Sequence, residues 1–250
     1  MSNPAISALY VHIPFCHRIC PFCSFAVRKN RPSVHREYLE AVLIETRRRV
    51  QGITTNDLES LYIGGGTPSV LSSTEIVFLM QGIRQSWPHS RDCQISIECN
   101  PEDVQSNYLG TLLNSGVNRL SIGVQSFQQE FLKSLGRNHT IEHLRQNLIA
   151  LRDVGWTNFN VDLMFGLPNQ TLEQFQFDVK KALEWYPTHL SFYALELAEQ
   201  TPFGKSERIQ KSWQDSHEIT TDMYLWATEY LVNNGWKHYE VSNFAKPNYQ

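Results

Sequence analysis

The chain has 250 residues, a formal net charge of −3, and 41% hydrophobic and 19% charged residues. These values are ordinary for one large globular domain. A mildly acidic chain lacks the basic footprint of a broad nucleic-acid surface, and no apolar run is long enough to span a bilayer stably. Residues 1–5 lack the features of a signal peptide, and the five cysteines are an odd number. We therefore expect a cytoplasmic protein with free thiols.

Short apolar runs alternate with amphipathic stretches, a pattern typical of strand–loop–helix units. The predicted strands are 9–13, 61–63, 95–99, 119–124, 158–165 and 190–194. The predicted helices are 38–50, 74–86, 108–114, 141–154, 172–185 and 222–233. Ser72 with Glu75, and Thr171 with Gln174, have the spacing of capping boxes at two helix starts. Helical crossovers of this size join parallel strands, so the pattern predicts an α/β fold over residues 1–250 as a single domain.

Several of the predicted strands alternate polar and apolar side chains. An antiparallel sheet with one wet face would alternate in the same way, but the intervening helices favour a parallel sheet with helices on its apolar face. Glu98, Gln125 and Asp162 then lie on the polar face, toward the carboxyl ends of their strands, where α/β proteins place ligands. Six strand–helix units are two short of a closed barrel. We therefore predict a partial barrel with a laterally open cavity.

Three of the five cysteines form a C-x3-C-x2-C motif directly after the first predicted strand: Cys16, Cys20 and Cys23. A [4Fe–4S] cluster usually has four cysteine ligands, so three would leave one iron open to another ligand. A zinc site completed by His12 or His17 is an alternative. A disulfide framework is disfavoured by the odd cysteine count and the length of the chain.

A glycine-rich turn, GGGTP at 64–68, follows the second predicted strand. Glycines allow backbone to approach a ligand closely because no Cβ intervenes. The turn is neither a phosphate-binding P-loop nor a dinucleotide-binding G-x-G-x-x-G motif, because the residues that complete those patterns are absent. Three glycines followed by a proline exceed what a simple tight turn needs, so we predict a binding role.

The first cysteine of the motif and the glycine-rich turn belong to an ordered set of six short motifs. The set comprises YVHIPFC at 10–16, GGGTP at 64–68, ECNPE at 98–102, GVQSF at 123–127, LGRNH at 135–139 and DLMFGLP at 162–168. Together they resemble the radical S-adenosylmethionine (SAM) proteins of the anaerobic coproporphyrinogen III oxidase family and its heme chaperone branch, HemW. The resemblance implies a partial (β/α)6 radical SAM barrel, in agreement with the alternating strands.

The resemblance also implies site residues. The three cysteines would hold a [4Fe–4S] cluster, and Gly65, Gly66 and Thr67 would bind the amino group of SAM. Tyr10 would pack against the cluster or the cofactor, and Phe22 would meet the adenine. Both aromatic side chains could instead be core residues.

Four further cofactor contacts follow from the same resemblance. Glu98 would hold a ribose or amino group, while Gln125, Arg137 and Asp162 would contact SAM, or a second SAM in the dehydrogenase. Arg137 could instead be a surface charge and Asp162 a cap. Positions on the polar face at strand ends make a structural role less expected for Glu98, Gln125 and Asp162 than for Arg137.

Two departures favour the heme chaperone branch. The dehydrogenase carries a further cysteine two residues after the third ligand, where this chain has Phe25, and it has an extension before its first strand, where this chain has eight residues. We therefore expect a heme-binding protein that delivers heme to an acceptor protein. The alternatives are a coproporphyrinogen III dehydrogenase that uses a 5′-deoxyadenosyl radical, with reduced flavodoxin or ferredoxin as electron donor, and a zinc-binding non-enzyme.

The resemblance ends near residue 247, whereas relatives continue, so we expect their C-terminal domain to be absent. Cys93 and Cys99 are expected to be buried rather than ligands. His12, His17 and His139 lie near the expected site, but nothing in their spacing selects one as an axial heme ligand. An aromatic group is predicted to pack the last helix rather than to form a porphyrin site: Trp213, Tyr224, Trp226, Tyr230 and Trp236.

Overall fold

The computed structural model describes residues 6–51, 55–87, 89–215 and 217–250, and for 55–57, 89–91 and 217 it describes the backbone alone. Residues 1–5, which the signal-peptide argument concerns, lie outside this set. The chain divides into two compact units, Met1–Ile19 with Phe25–Leu120, and Cys20–Ser24 with Ser121–Gln250. The single-domain organisation over 1–250 stays a prediction.

The first unit contains five strands and three helices. In chain order these are β1 (Ile6–Ile13), β2 (Phe15–Cys16), β3 (Arg28–Lys29), α1 (His35–Val50), β4 (Thr55–Gly65), α2 (Ser73–Ser86), β5 (His89–Cys99) and α3 (Ser106–Asn114). β4 pairs in parallel with both β1 and β5. The short strands β2 and β3 pair separately and in parallel. The register of β1 on β4 places Ile13 opposite Gly65, which brings the end of β1 next to the glycine-rich turn.

Local chemistry explains why α2 begins and where it packs. Ser72 accepts a hydrogen bond from the Glu75 amide, and the Glu75 side chain accepts one from the Ser72 amide, so the predicted capping box is confirmed. Helix α2 buries Ile76, Leu79 and Ile83 on one face. These side chains recur every three or four residues, as expected for the buried stripe of a surface helix.

The second unit begins within β6 (Arg119–Gln125), whose first two residues belong to the first unit. It continues with α4 (Gln129–Ser134), α5 (Ile141–Asp153), β7 (Phe159–Phe165), α6 (Leu172–Leu183), β8 (His189–Ala194), α7 (Glu207–Asp215), α8 (His217–Asn233), β9 (Lys237–His238) and β10 (Asn243–Ala245). β7 and β8 are parallel, while β10 runs antiparallel to both β8 and β9.

The predicted elements are present, but two strands are much longer than predicted: β4 is Thr55–Gly65 instead of 61–63, and β5 is His89–Cys99 instead of 95–99. All six predicted strands and all six predicted helices exist, and the last helix begins at His217 rather than at 222. The sequence-based prediction missed α4, α7 and the short strands β2, β3, β9 and β10. The capping box at Thr171 and Gln174 is confirmed at the start of α6. The α/β class with parallel strands and covering helices is confirmed.

Aromatic and aliphatic side chains fill the core of the second unit. One buried cluster comprises Phe131, Leu135, Met164, Leu167, Leu195 and Phe203, with Phe22 and Trp213 packed against it. Trp226 stacks on Tyr230 at 4.8 Å between ring centroids and meets Phe175 edge-on. These aromatic side chains pack α7 and α8 against the unit, as the sequence predicts for α8. Among the described helices, none has both the length and the apolar composition needed to cross a membrane.

Candidate functional site

The first predicted ligand, Cys16, lies at the end of β2 against the glycine-rich turn. Its side chain is buried, and the hydroxyl of Thr67 donates to its Sγ at 3.5 Å. The amides of Gly66 and Thr67 donate to the carbonyls of Ile13 and Phe15, each at 2.8 Å. A Cβ on Gly66 would lie 2.8 Å from Cys16 Sγ and 2.8 Å from the Phe15 carbonyl oxygen. The glycine-rich turn therefore packs directly on Cys16, and this contact leaves no room for a side chain at residue 66.

Glu98 extends from the end of β5 toward the same turn. Its carboxylate accepts from the Tyr62 hydroxyl and from the Gly65 amide, both at 3.0 Å. Gly65 has φ of +122°, a conformation that glycine adopts without a steric penalty. The structure thus brings together two of the residues that the sequence assigns to the cofactor, Gly65 and Glu98, and leaves Glu98 half-buried.

Tyr10 is not a core residue. Its side chain is 55% exposed and stacks on Tyr62, with 6.0 Å between ring centroids. Its hydroxyl lies 3.2 Å from His12 Nδ1, and His12 Nε2 lies 3.0 Å from the carbonyl oxygen of Ala26. Partial burial, together with the negative charge of Glu98, raises the pKa of Tyr10. An exposed ring beside Glu98 fits a contact surface for a ligand better than it fits packing.

The histidines proposed for the zinc alternative are engaged elsewhere. Both ring nitrogens of His12 have partners, as described above, and His17 Nε2 lies 2.9 Å from Asp103 Oδ1. Asp103 also accepts from Ser69 Oγ at 2.7 Å. The ring nitrogens of His12 and Nε2 of His17 are thus engaged in hydrogen bonds within the protein.

The second and third predicted ligands, Cys20 and Cys23, lie in a turn of the second unit. The Cys23 amide donates to the Cys20 carbonyl at 3.1 Å, and Arg137 Nη1 donates to Cys20 Sγ at 3.7 Å. Arg137 also donates through Nη2 to the Gly123 carbonyl at 2.9 Å. Arg137 therefore contacts one of the three cysteines and is not a free surface charge, while its contact with SAM stays a prediction. The sequence placed it near the cofactor but did not foresee its contact with a cysteine.

Phe22, between these two cysteines, packs against the buried apolar cluster of the second unit. Its ring centroid lies 6.2 Å from that of Phe203, and the Phe203 amide donates to the Pro21 carbonyl at 3.0 Å. The ring contact and the hydrogen bond hold the cysteine turn on the second unit. Phe22 therefore packs in part against the core, and its contact with adenine stays a prediction.

Asp162 lies on the polar face of β7, as the alternation predicts, and it is not a cap. Its carboxylate accepts from Asn160 Nδ2 at 2.7 Å and from Ser121 Oγ at 3.1 Å. The polar chain continues from Asn160 Oδ1 to His189 Nδ1 at 2.8 Å and from His189 Nε2 to the Tyr239 hydroxyl at 2.6 Å. The sequence did not reveal this extension, because it depends on the register of β7 on β8, which places Asn160 opposite His189.

Gln125 closes β6 with φ of +68°. The residues that follow it contact Asp178, a buried carboxylate on α6 that the sequence-based analysis did not select. Burial raises the pKa of Asp178 to about 6, and hydrogen bonds from Ser126, Phe127 and Gln128 only partly offset that effect. One sequence signal could have identified Asp178 as a buried carboxylate. It lies between the apolar residues Phe175 and Val179 on the buried face of α6.

This raised pKa predicts a pH-dependent stability. Between the usual pKa of 3.8 and the native value of about 6, the folded chain binds more protons than the unfolded chain. The contribution of Asp178 to the free energy of unfolding is therefore fully present below the unfolded pKa of 3.8. It is lost as pH rises through 6, and the free energy of unfolding falls by about 3 kcal/mol. Asp178→Asn cannot titrate, so we expect it to gain up to about that much relative to wild type between about pH 4 and pH 7. Urea unfolding across this range measures the gain, with the exposed Asp153→Asn as control, and a gain that does not change with pH would contradict it.

The two remaining cysteines, Cys93 and Cys99, are buried on β5. Burial raises the pKa of both thiols, so both are held in the protonated form that does not bind metals. This environment agrees with the prediction that they are not ligands. His139 is also buried, with Nε2 at 3.1 Å from the Val124 carbonyl oxygen. That position makes His139 a structural residue of the strand end.

The donor set fits an iron–sulfur cluster on chemical grounds. None of the three cysteines of the motif is in a disulfide, and iron–sulfur clusters are held by cysteine thiolates. The Thr67 hydroxyl and the Arg137 guanidinium donate hydrogen bonds to two of the three sulfurs, those of Cys16 and Cys20. A [4Fe–4S] cluster held by the three cysteines of the motif would have one iron open to a second molecule.

Comparison with known proteins places this arrangement in a family. Residues 10–182 match the model of the radical SAM superfamily. The heme chaperone HemW of Escherichia coli is 36% identical over 97% of this chain and 64% of its own length. The oxygen-independent coproporphyrinogen III oxidase of Salmonella typhimurium is 34% identical over 96% of this chain and 52% of its own length.

A solved structure agrees with these sequence matches. The coproporphyrinogen III oxidase HemN of Escherichia coli, described as a radical SAM enzyme, is similar with a TM-score of 0.83 and 31% identity. The similarity covers 99% of this chain and 56% of that one. This chain thus spans about half to two thirds of the length of the relatives that it matches. The superfamily match covers more than half of the chain, and the chain belongs to the radical SAM superfamily.

Proposed function

We propose that this chain is the radical SAM core of a heme chaperone that binds a [4Fe–4S] cluster, SAM and heme and delivers heme to an acceptor protein. The observation that carries the choice within the family is Phe25. It stands where the dehydrogenase resemblance calls for a further cysteine, and its side chain is 72% exposed. The similarity to proteins named heme chaperone HemW supports the same choice.

The chain's own residues have distinct parts in this proposal. Cys16, Cys20 and Cys23 would hold the cluster, which when bound supplies an open iron for the amino and carboxylate groups of SAM and a source of electrons. Thr67 and Arg137 would stabilise two of the thiolates through the hydrogen bonds that they already make.

The glycine-rich turn would bind the rest of the cofactor. The small residues Gly65 and Gly66 would let SAM approach the backbone closely, and Glu98 would accept a hydrogen bond from its amino or ribose group. The present partners of Glu98, the Tyr62 hydroxyl and the Gly65 amide, orient the carboxylate at the end of β5. Gln125, at the end of β6, and Asp162, in the middle of β7, would complete the contacts.

A porphyrinogen dehydrogenase is the second candidate, because the oxidases from two organisms are similar to this chain over nearly its whole length. That activity would need an electron donor such as reduced flavodoxin or ferredoxin. The presence of Phe25 in place of the further cysteine weighs against it. Both candidates share the cluster and SAM, so they differ in what is bound or converted beside the cofactor.

Anaerobic reconstitution with iron and sulfide, followed by two assays on the same protein, tests the choice. Heme titration followed by absorbance should give stable binding, and coproporphyrinogen III with SAM and a reductant should give no protoporphyrinogen. Turnover to protoporphyrinogen would replace the chaperone proposal with the dehydrogenase. Failure to take up iron would contradict both. Two controls address nonspecific heme adsorption. The buffer contains no bovine serum albumin, and a triple variant replaces all three motif cysteines: Cys16→Ala, Cys20→Ala and Cys23→Ala.

A further inference from the structure

The segment that follows β6 has an unusual backbone. Gln125 adopts φ of +68°, a left-handed conformation in which a Cβ crowds the neighbouring carbonyl. Residues other than glycine keep such a conformation only where surrounding contacts determine it, and these places are often binding sites. Gln125 is also one of the residues through which the proposed function would bind SAM. The contacts that fix its conformation therefore bear on the site.

The residues before Gln125 are held by the 135–139 motif. Arg137 Nη2 donates to the Gly123 carbonyl at 2.9 Å. His139 Nε2 lies 3.1 Å from the Val124 carbonyl oxygen, and a carbonyl can only accept, so Nε2 carries the proton. Burial and the neighbouring Arg137 lower the pKa of His139 to about 3, so the ring is neutral and makes this bond as a neutral donor. Two successive carbonyls at the end of β6 are thus fixed from one side.

The residues after Gln125 are held from α6 by the side chain of Asp178, and Gln128 Nε2 also donates to the Gln174 carbonyl at 2.9 Å. Ser126 Oγ donates to Asp178 Oδ2 at 2.7 Å, while the Phe127 amide and Gln128 Nε2 donate to Oδ1 at 2.9 and 3.1 Å. The Gln128 amide in turn donates to Ser126 Oγ at 3.1 Å. One carboxylate therefore receives hydrogen bonds from three consecutive residues, directly after the left-handed one.

Packing alone does not explain an aspartate at this position. Its neighbours on the buried face of α6 are Phe175, Val179 and Ala182, and Asp178 is fully buried with them. A buried carboxylate is costly unless hydrogen bonds compensate it, and an apolar residue would fill the space without that cost. What only a carboxylate of this size supplies is two acceptor oxygens for three donors.

We propose that Asp178 is a positioning residue that fixes the turn 126–128 and so holds Gln125 in the left-handed conformation that presents its side chain at the carboxyl end of β6. The inference rests on the proposed function, in which Gln125 contacts SAM. Asp178 itself would touch neither the cluster nor the cofactor. It acts through the backbone of the three residues that follow Gln125.

Two measurements on Asp178→Ala test this. The first is amide hydrogen exchange of the cofactor-free protein, read at Phe127 and Gln128. Loss of one buried hydrogen bond corresponds to roughly tenfold, so we expect exchange there to accelerate about tenfold or more, with the rest of α6 changed less. The second is SAM affinity of the cluster-loaded protein by equilibrium dialysis, which we expect to weaken by about tenfold.

Three matched variants keep the test decisive. Asp178→Asn retains one acceptor oxygen in place of two, so it should restore exchange at Phe127 and SAM affinity in part, to values between those of wild type and Asp178→Ala. Glu173→Ala removes an exposed carboxylate from the same helix and should leave both unchanged. Ser126→Ala removes the donor to Oδ2 and also the acceptor of the Gln128 amide, so its effect is read at Phe127, whose amide donates to Asp178 and should exchange faster even if Asp178→Ala does not fold.

The outcomes separate the inference from the proposed function. Unchanged exchange at 126–128 in Asp178→Ala, or in Ser126→Ala if the former does not fold, would overturn the fixing of the turn. Faster exchange with unchanged SAM affinity would overturn the positioning role. If wild-type protein carrying its cluster fails to bind SAM, the proposed function falls, and the positioning of a SAM contact falls with it, while the exchange result still decides whether Asp178 fixes the turn.

Discussion

Cys23→Ala is expected to abolish cluster binding. A [4Fe–4S] cube is held by thiolates, and the motif offers three of them, so removing one leaves two ligands for four irons. We expect iron after anaerobic reconstitution to fall from about four per chain to near zero, with loss of the brown chromophore. Cys23 is only half-buried, so its loss removes little packing, and the variant should remain folded.

The matched control is Cys93→Ala. Cys93 is a free cysteine too, but it is buried on β5, and burial raises the pKa of its thiol. The control loses one thiol without touching the motif, so its iron content should equal that of wild type. Full iron content in Cys23→Ala would disprove the ligand assignment, and equal loss in both variants would point to a general effect of thiol removal.

Local signals were sufficient to predict the main elements of the fold. The capping boxes that start α2 and α6 involve side chains only three residues apart, so the sequence contains the whole interaction. Elements that depend on tertiary packing were missed: α4 has only six residues, and α7 has no buried residue to mark a core-facing stripe.

The parts of the candidate site that are local sequence patterns could be predicted, and its long-range contacts could not. The cysteine spacing and the glycine-rich turn are local patterns, and the structure brings Cys16 against that turn. The partners of Arg137 were not predictable, because Cys20 is 117 residues away in sequence. Asp178 escaped notice because a lone aspartate within a helical pattern gives no indication of the turn that it contacts 50 to 52 residues earlier.

A change at the glycine-rich turn should have the second large effect. At Gly66 the constraint is space, since a Cβ would meet Cys16 Sγ at 2.8 Å, the Phe15 carbonyl oxygen at 2.8 Å and the Pro14 carbonyl carbon at 2.9 Å. Two of these three neighbours are backbone atoms, which cannot rotate aside as a flexible side chain can. Overpacking of this kind costs about 1–3 kcal/mol, so we expect Gly66→Ala to lower the free energy of unfolding by that amount.

The same substitution should also impair the cluster. The only neighbour that can move readily is the Cys16 thiol, and its displacement would break the hydrogen bond from Thr67 and misplace a ligand. We therefore expect iron loading of Gly66→Ala to fall severalfold, measured beside urea unfolding of the cluster-free protein.

Gly110→Ala provides the control for this experiment. Gly110 lies within α3, and a Cβ there would have no atom within 4 Å. Alanine in a helix interior is favoured over glycine by about 1 kcal/mol, so Gly110→Ala should raise stability and leave iron loading unchanged. The two glycine-to-alanine changes are thus expected to have opposite signs, which separates lost space at Cys16 from any general effect of the added methyl group. Wild-type stability and full iron loading in Gly66→Ala would show that the turn can move away from Cys16, and the close approach would then not be what the cluster site requires.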